Sequence, residues 1–424
     1  MHPLSIGIYD IAIACYRFVI SLAALYNVKA KLWLAGRRNW AGLLQEAIQP
    51  LREAGRPIVW VHCASLGEFE QGRPVIEALR MQYPNAGVVL TFFSPSGYQI
   101  RRNYAYADVV CYMPLDTRRN AAAFVKILQP RLAIFVKYEF WYHHLQALFK
   151  AGVPVLLIAA LFRPGQLFFR WYGGAFRELL KGFGRIFTQN EAAAALLRQA
   201  GISRVEVAGD TRVDRVMQMA AQPPAYEIVR SFAGDSPLLV CGSTWPQDEA
   251  ILTPFVNREL PEDWKVVVAP HEISENHLAG LEKMLPGVTV RYSQFTPTSA
   301  AGARVLIVDN IGMLAFLYQY GRLAYIGGGF GHGIHNTLEP AAFGLPVIFG
   351  PRYGKFEEAV YLAQQGGFFS ISSGETLGKA FQHLMNENNY RDAAAKVKQY
   401  LHERQGATTR VMDYLAANQW LDQR

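Results

Sequence analysis

The segment from Leu323 to Pro351 constrains the fold of this chain more than any other. A short apolar run, Leu323 to Ile326, ends in Gly327, Gly328 and Gly329, and Gly331 and Gly333 keep the following loop free of bulk. His335 and Asn336 precede a short helical segment, and a second apolar run, Pro346 to Phe349, follows at once. Asn336 with Glu339 three residues later has the spacing of a capping box, and Gly344 is placed to stop the helix. Glycines let backbone N–H groups approach a ligand closely, and a helix start carries partial positive charge, so a phosphate suits this loop. The same residues also read as a turn that only packs tightly. A dinucleotide fingerprint is excluded, because the G-x-G-x-x-G spacing followed by a long helix and a distal acid is missing.

The rest of the chain repeats that alternation. Ile58 to His62, Gly87 to Phe92, Leu132 to Val136, Val153 to Ile158 and Arg185 to Thr188 read as buried strands, with helices at Arg73 to Met81, Asn120 to Leu128 and Glu191 to Gln199. A second series begins at Leu238 to Cys241 and continues through Lys265 to Ala269, Val288 to Tyr292 and Val305 to Val308 into the glycine segment. With 424 residues the chain exceeds one ordinary core. We therefore expect an α/β protein of two doubly wound, Rossmann-like parallel sheets facing a cleft. The expected divisions are an N-terminal helix over 1–30, a first domain over 31–220 and a second over 236–407. A last helix, 408–424, is placed to cross back to the first. The boundary falls in the proline-containing stretch Ala220 to Pro237.

Composition is globular, with 51% hydrophobic and 18% charged residues, and the net charge of +8 suits an acidic partner. Basic residues are scattered without long runs, so nucleic acid is not expected. The four cysteines form no C-x-x-C pair and the ten histidines no H-E-x-x-H, so no zinc site is indicated. His143 and His144 read as ordinary polar residues.

Leu4 to Tyr26 is almost wholly apolar or aromatic, interrupted by Asp10 and Arg17, which lie seven residues apart and share a helix face. The run is long enough to span a bilayer, but two charges near its middle are costly there. A helix in the membrane interface, or one spanning with the two charges paired, accounts for both facts; a helix docked on the protein itself is the alternative. Lys29, Lys31, Arg37 and Arg38 follow it and place the main body on the cytoplasmic side.

Four loops after strands carry candidate chemistry. In Ala64-Ser65-Leu66-Gly67-Glu68, Gly67 permits a tight turn and Glu68 stands where a helix begins. Such a carboxylate can act as a general base or simply favour the helix dipole. Glu139 lies among aromatics in Lys137-Tyr138-Glu139-Phe140-Trp141. Arg212, in Gly209-Asp210-Thr211-Arg212-Val213-Asp214, can meet phosphate or carboxylate with two hydrogen bonds. Ser243 and Thr244 open the second domain with hydroxyls suited to phosphate oxygens, and His271 follows the next strand on the same rim.

Taken together, A-S-L-G-E, Y-E-F-W, T-Q-N-E (Thr188 to Glu191), G-D-T-R-V-D and G-G-G-F-G-H-G-I-H-N-T-L-E-P resemble the Kdo (3-deoxy-D-manno-octulosonic acid) transferases of lipopolysaccharide synthesis, in family order over nearly the whole chain. The resemblance implies a GT-B fold, inverting transfer of Kdo from CMP-Kdo to a lipid A precursor, and no metal or other cofactor. It implies Glu68 as catalytic base, and Glu139, which matches the second acid of the family's E-T-E-L-W-P, is the other catalytic candidate. It also implies substrate contacts at Arg212, Ser243, Thr244, Gly328, Asn336 and Glu339; Ser65, Gly67, His271, Gly329 and His335 are further candidates for substrate contact from the loops they stand in. Arg212 stands where the family usually has lysine. Lys137 and Tyr142 depart from the family's E-T-E-L-W-P, and Ala160-Leu161-Phe162-Arg163-Pro164 departs from N-A-R-L-S. Ala269-Pro270-His271 replaces P-R-H.

The expected partners are therefore CMP-Kdo, a lipid A precursor and the membrane surface, at the cytoplasmic face of the inner membrane. Leu167 to Tyr172, rich in aromatics, reads equally as an acyl-chain contact or as a packed helix start. Two other readings stay open: another GT-B nucleotide-sugar enzyme such as a UDP-sugar transferase or epimerase, and a non-catalytic membrane scaffold.

Overall fold

The computed structural model describes residues 3–171, 173–285, 288–298 and 301–422. Two compact units make up the chain: Met1–Asp214 with Arg404–Arg424, and Arg215–Glu403, so the division falls inside the helix Thr211–Ala221.

The first unit contains β1 (Ile58–Cys63), β2 (Gly87–Phe92), β3 (Val109–Tyr112), β4 (Leu132–Val136), β5 (Val155–Ala160), β6 (Arg185–Thr188) and β7 (Val205–Val207). They form one parallel sheet in the order β3-β2-β1-β4-β5-β6-β7. Central strands such as Ile58–Cys63 and Leu132–Val136 are buried along their whole length, because helices cover both faces and leave no side for water. Alternation splits their side chains between two cores. Trp60 packs with Phe124, Phe135 and Leu145 on one face; Val59 and Val61 pack with Phe69, Val75 and Ile134 on the other. The final helix, Ala407–Asn418, joins that second core through Val411, Met412 and Leu415. Asp214 accepts the amides of Gly406 and Thr408 at 2.5 and 2.6 Å and so holds the start of this helix.

The N-terminal helix, Pro3–Ala23, contains one stretch, Ile6–Ala23, apolar and long enough to cross a membrane by length and composition. One face docks on the first unit. Tyr9 packs on the core and donates to Asp116 at 2.5 Å, and the Asp10 carboxylate lies 2.5 Å from Nε2 of His143. Asp10 is thus engaged by histidine, not by Arg17. Asp116, fully buried, also accepts the amides of His143 and His144 and faces Nδ1 of His144 at 2.5 Å. Both histidines are buried, which corrects the expectation of ordinary polar residues: this helix, Tyr142–Lys150, starts against a buried carboxylate. The other face of the N-terminal helix leaves Ile8, Ile11, Phe18 and Val19 exposed.

The second unit contains β8 (Leu238–Thr244), β9 (Lys265–Pro270), β10 (Val288–Arg291), β11 (Ala303–Ile307), β12 (Leu323–Ile326), β13 (Val347–Phe349) and β14 (Phe368–Ser370), again all parallel, in the order β10-β11-β9-β8-β12-β13-β14. Strand order reverses between β1 and β4 in one sheet and between β8 and β12 in the other. In open parallel sheets the connections diverge at that point and leave a crevice at the carboxyl ends of the strands.

Candidate functional site

In the first unit the two candidate glutamates flank the reversal point, Glu68 after β1 and Glu139 after β4. Ser65 caps the helix Leu66–Gln82 with extended backbone, and its hydroxyl donates to the Glu68 carboxylate in the first turn. Glu68 is half-buried. Gly67 is not a turn residue: it lies inside the first helical turn, where a Cβ would meet only Ser65 Oγ at 3.8 Å.

Glu139 is buried and held by the indole N–H of Trp141 at 2.5 Å, with Nε2 of His62 at 3.3 Å. The His62 ring is oriented from behind by Thr91, whose Oγ1 lies 2.8 Å from Nδ1 and 2.8 Å from Nε1 of Trp60. Cys63 ends β1 between these acids. Burial pushes its thiol well up, and the charges of Glu68, Glu139 and Glu70 push it further, so the carboxylates share one neighbourhood. Lys137, directly after β4, has φ +68, a left-handed conformation that L side chains rarely adopt. Tyr142 is the first residue of its helix, a position that tolerates proline, so the departure there leaves the helix start intact.

Arg212 sits in the first turn of Thr211–Ala221 and pairs with Asp210 through Nε at 3.0 Å and Nη2 at 2.6 Å. Its fork is therefore occupied by a carboxylate. In the aromatic run, Phe168 is buried against Phe140, Phe162 and Phe176, whereas Trp171 is exposed; Tyr172 lies outside the described residues.

In the second unit the glycine loop is built against the end of β8. Gly327 donates to the Gly242 carbonyl at 2.9 Å, and a Cβ on Gly327 would lie 2.2 Å from the Ser243 carbonyl oxygen, so only glycine fits. Gly328 has φ +89 and gives its amide to Asp248 at 2.8 Å, while Gly329 packs directly on Gly350. Asp248 is fully buried and also accepts the Tyr325 hydroxyl (2.9 Å) and the Trp245 amide (3.0 Å). One carboxylate thereby joins the glycine loop, β12 and the start of the helix Pro246–Arg258.

Ser243 has φ +53, a second strained position at a strand end. Thr244 does not face outward as expected. It is fully buried and donates to Glu249 at 2.9 Å, because a threonine hydroxyl closed over by a helix must find an internal acceptor. The expected capping box at Asn336 is also not the observed start. Thr337 occupies the N-cap of Leu338–Ala342, Asn336 Oδ1 accepts the Leu338 amide at 3.1 Å, and Asn336 Nδ2 donates to Glu339 at 2.9 Å. A short carboxamide reaches the amide two residues on more easily than a full turn.

Trp245, His271 and His335 form a stack, with ring centroids 4.4 Å apart for Trp245 and His271 and 4.7 Å for His271 and His335. Trp245 donates its indole N–H to Nε2 of His335 at 3.0 Å. Burial, with His271 beside it, holds the His335 imidazole below its ordinary pKa. His62, Trp141, Asp248 and the stacking role of Trp245 were missed from sequence. Only Asp248 had a local signal, an acid three residues after the residue that starts a helix.

Residues 38–215 match the family model of the 3-deoxy-D-manno-octulosonic-acid transferases (kdotransferases). The 3-deoxy-D-manno-octulosonic acid transferase of Haemophilus influenzae is 24% identical over 420 residues, 96% of each chain. That of Bordetella pertussis is 26% identical over 417 residues, 92% of this chain and 96% of its own. Among solved structures, UDP-GlcNAc 2-epimerase from Neisseria meningitidis bound to UDP-GlcNAc aligns with TM-score 0.59 and 16% identity, over 85% of this chain and 100% of that one. At that identity the likeness speaks for the fold alone. Two doubly wound parallel sheets with polar groups at both reversal points define a protein of the GT-B fold. The family-model match over residues 38–215 and the relatives spanning nearly its full length narrow the class: the chain is similar to the Kdo transferases.

Proposed function

We propose that the chain moves Kdo from CMP-Kdo to a lipid A precursor with inversion at the anomeric carbon, at the cytoplasmic face of the inner membrane, using Glu68 as general base. The observation that carries this reading is the placement of Glu68. It is half-buried in the first turn after β1, oriented by the Ser65 hydroxyl and set at the reversal point of the sheet with Glu139.

In the proposed step the acceptor's hydroxyl oxygen forms the new bond to the anomeric carbon as Glu68 takes its proton. The bond from that carbon to the phosphate oxygen breaks, and CMP departs with the electron pair. Glu139, held by Trp141 and His62, lines the acceptor side. The donor is assigned to the glycine loop, with Ser243, Asn336 and Glu339 at its rim and the Trp245–His271–His335 stack beside it. Fixed dipoles of that loop act on the departing phosphate without reorganising. Arg212 contributes only where phosphate competes with Asp210.

Glu68→Gln tests the reading. With a lipid A precursor and CMP-Kdo generated in situ, turnover read by mass spectrometry should fall about 10²- to 10⁴-fold while CMP affinity and melting hold. Turnover within a few-fold of wild type removes Glu68 from the mechanism.

A further inference from the structure

Two adjoining cavities open beside the N-terminal helix, of about 350 and 560 Å³, and share Arg17 and Leu115. Arg37 and Arg38 line the first, Arg118 and Arg119 the second. Among the described residues, none of these five arginines forms an ion pair with a carboxylate. Asp10, the acid on the wall, faces His143 instead.

Arg37 is the most telling. Its guanidinium lies 3.9 Å from the Trp33 ring centroid and 4.8 Å from that of Phe93, and donates to the carbonyls of Trp33 (3.1 Å) and Phe93 (2.8 Å). Nε is buried without a partner. Burial lowers its pKa to about 9, so the cation is held at a cost that no carboxylate relieves. Arg37 is half-buried, and a charge partly removed from water favours an anionic partner; an arginine fork matches phosphate oxygens. Ile13, Ala14 and Phe18 of the membrane-type helix give the second cavity an apolar flank beside Asp10, Arg17 and Ser21 of the same helix. Cationic head and apolar flank together match an amphiphile whose anion sits at the depth of Arg17.

We propose that these cavities hold the phosphate headgroup of a bilayer phospholipid, bound by Arg17, Arg37 and Arg38 with its acyl chains along the exposed side of the N-terminal helix. The bound lipid sets the depth of that helix and supplies the anionic partner that Arg37 lacks. This site borders the Glu139 loop, since Arg37 donates to the Phe93 carbonyl and the Phe93 ring lies 4.4 Å from that of Trp141, but the proposal does not depend on the chemistry at Glu68.

The test uses the full chain in mild detergent with phosphatidylglycerol as probe, read by native mass spectrometry. Wild type should retain one lipid per chain at low lipid excess. Arg17→Gln with Arg38→Gln should weaken that retention about ten-fold or more, with melting unchanged. The charge-preserving pair Arg17→Lys with Arg38→Lys should also lose it, because lysine cannot supply the fork. Retention by the lysine pair equal to wild type would mean diffuse charge attraction and overturn the built site. Equal loss on removing the remote charges Lys150→Gln with Lys283→Gln would overturn it too. So would displacement of the retained lipid by an equimolar lipid A precursor, which would assign the cavities to the acceptor.

Discussion

The indole N–H of Trp245 points at Nε2 of His335 across 3.0 Å, so the imidazole must accept there and carry its proton on Nδ1. That requirement fits a ring held below its ordinary pKa by burial and by His271. A histidine depressed in the folded state stabilises nothing by protonation. The unfolded chain takes up the proton first, so stability is full above about pH 6.5 and declines as pH falls from there towards the folded pKa. Melting of wild type between pH 7.5 and 5.5 should therefore fall more steeply than that of His335→Asn. Parallel pH slopes for the two proteins would contradict the assignment.

Asp248 ties the glycine loop of the second unit to its neighbours. It takes donors from Tyr325, Gly328 and Trp245 while fully buried. Asp248→Asn replaces one acceptor oxygen by a donor facing existing donors. Its cost should be about 1.5–3 kcal/mol, from hydrogen bonds to a carboxylate, read from the denaturant midpoint. CMP affinity should weaken in the fraction that remains folded, since the glycine loop loses its tie to the helix Pro246–Arg258. A variant as stable as wild type would show that the loop holds itself.

Trp141→Phe probes the first unit. The ring keeps its place against Phe93, whose centroid is 4.4 Å away, but the donor to Glu139 is gone. A buried carboxylate short of one donor costs about 1–3 kcal/mol, so kcat should drop about ten-fold or more with little change in CMP affinity. Unaltered kcat on the lipid acceptor would dismiss Glu139 from the site.

Tyr9→Phe tests whether the N-terminal helix is only an anchor. Tyr9 supplies one of the donors to Asp116, which also receives the amides that begin Tyr142–Lys150, the helix after the Glu139 loop. Burial raises the Asp116 pKa, but the hydrogen bonds from His144, Tyr9 and the His143 amide outweigh it and hold the carboxylate below its ordinary range. Losing Tyr9 should lower stability by about 1–2 kcal/mol without releasing the protein from membranes. Deleting residues 1–26 should do both. A truncated chain that melts like wild type would mean that the helix contributes attachment alone.

Much of this protein was readable before folding was considered. Buried strands announce themselves as β-branched runs, so β1, β2, β4, β8, β9 and β12 were legible, whereas β3, β7 and β14, short strands near the sheet edges, were not. Glu68 and the glycine loop were legible because local chemistry fixes them: a helix's first turn and a backbone that admits no Cβ at Gly327. The partners of these groups were not. His62 reaches Glu139 across 77 positions, Trp245 reaches His335 across 90, and Tyr9 reaches Asp116 across 107. Period and propensity act over a turn or a strand, while such contacts depend on which strands the crossovers set side by side. Sequence alone therefore determined the alternating architecture, the glycine loop and the family motifs. Only the tertiary structure decided that Thr244 turns inward, that Arg212 is met by Asp210, and that the half-buried Arg37 has no carboxylate partner among the described residues, because burial and pairing are properties of the packed chain.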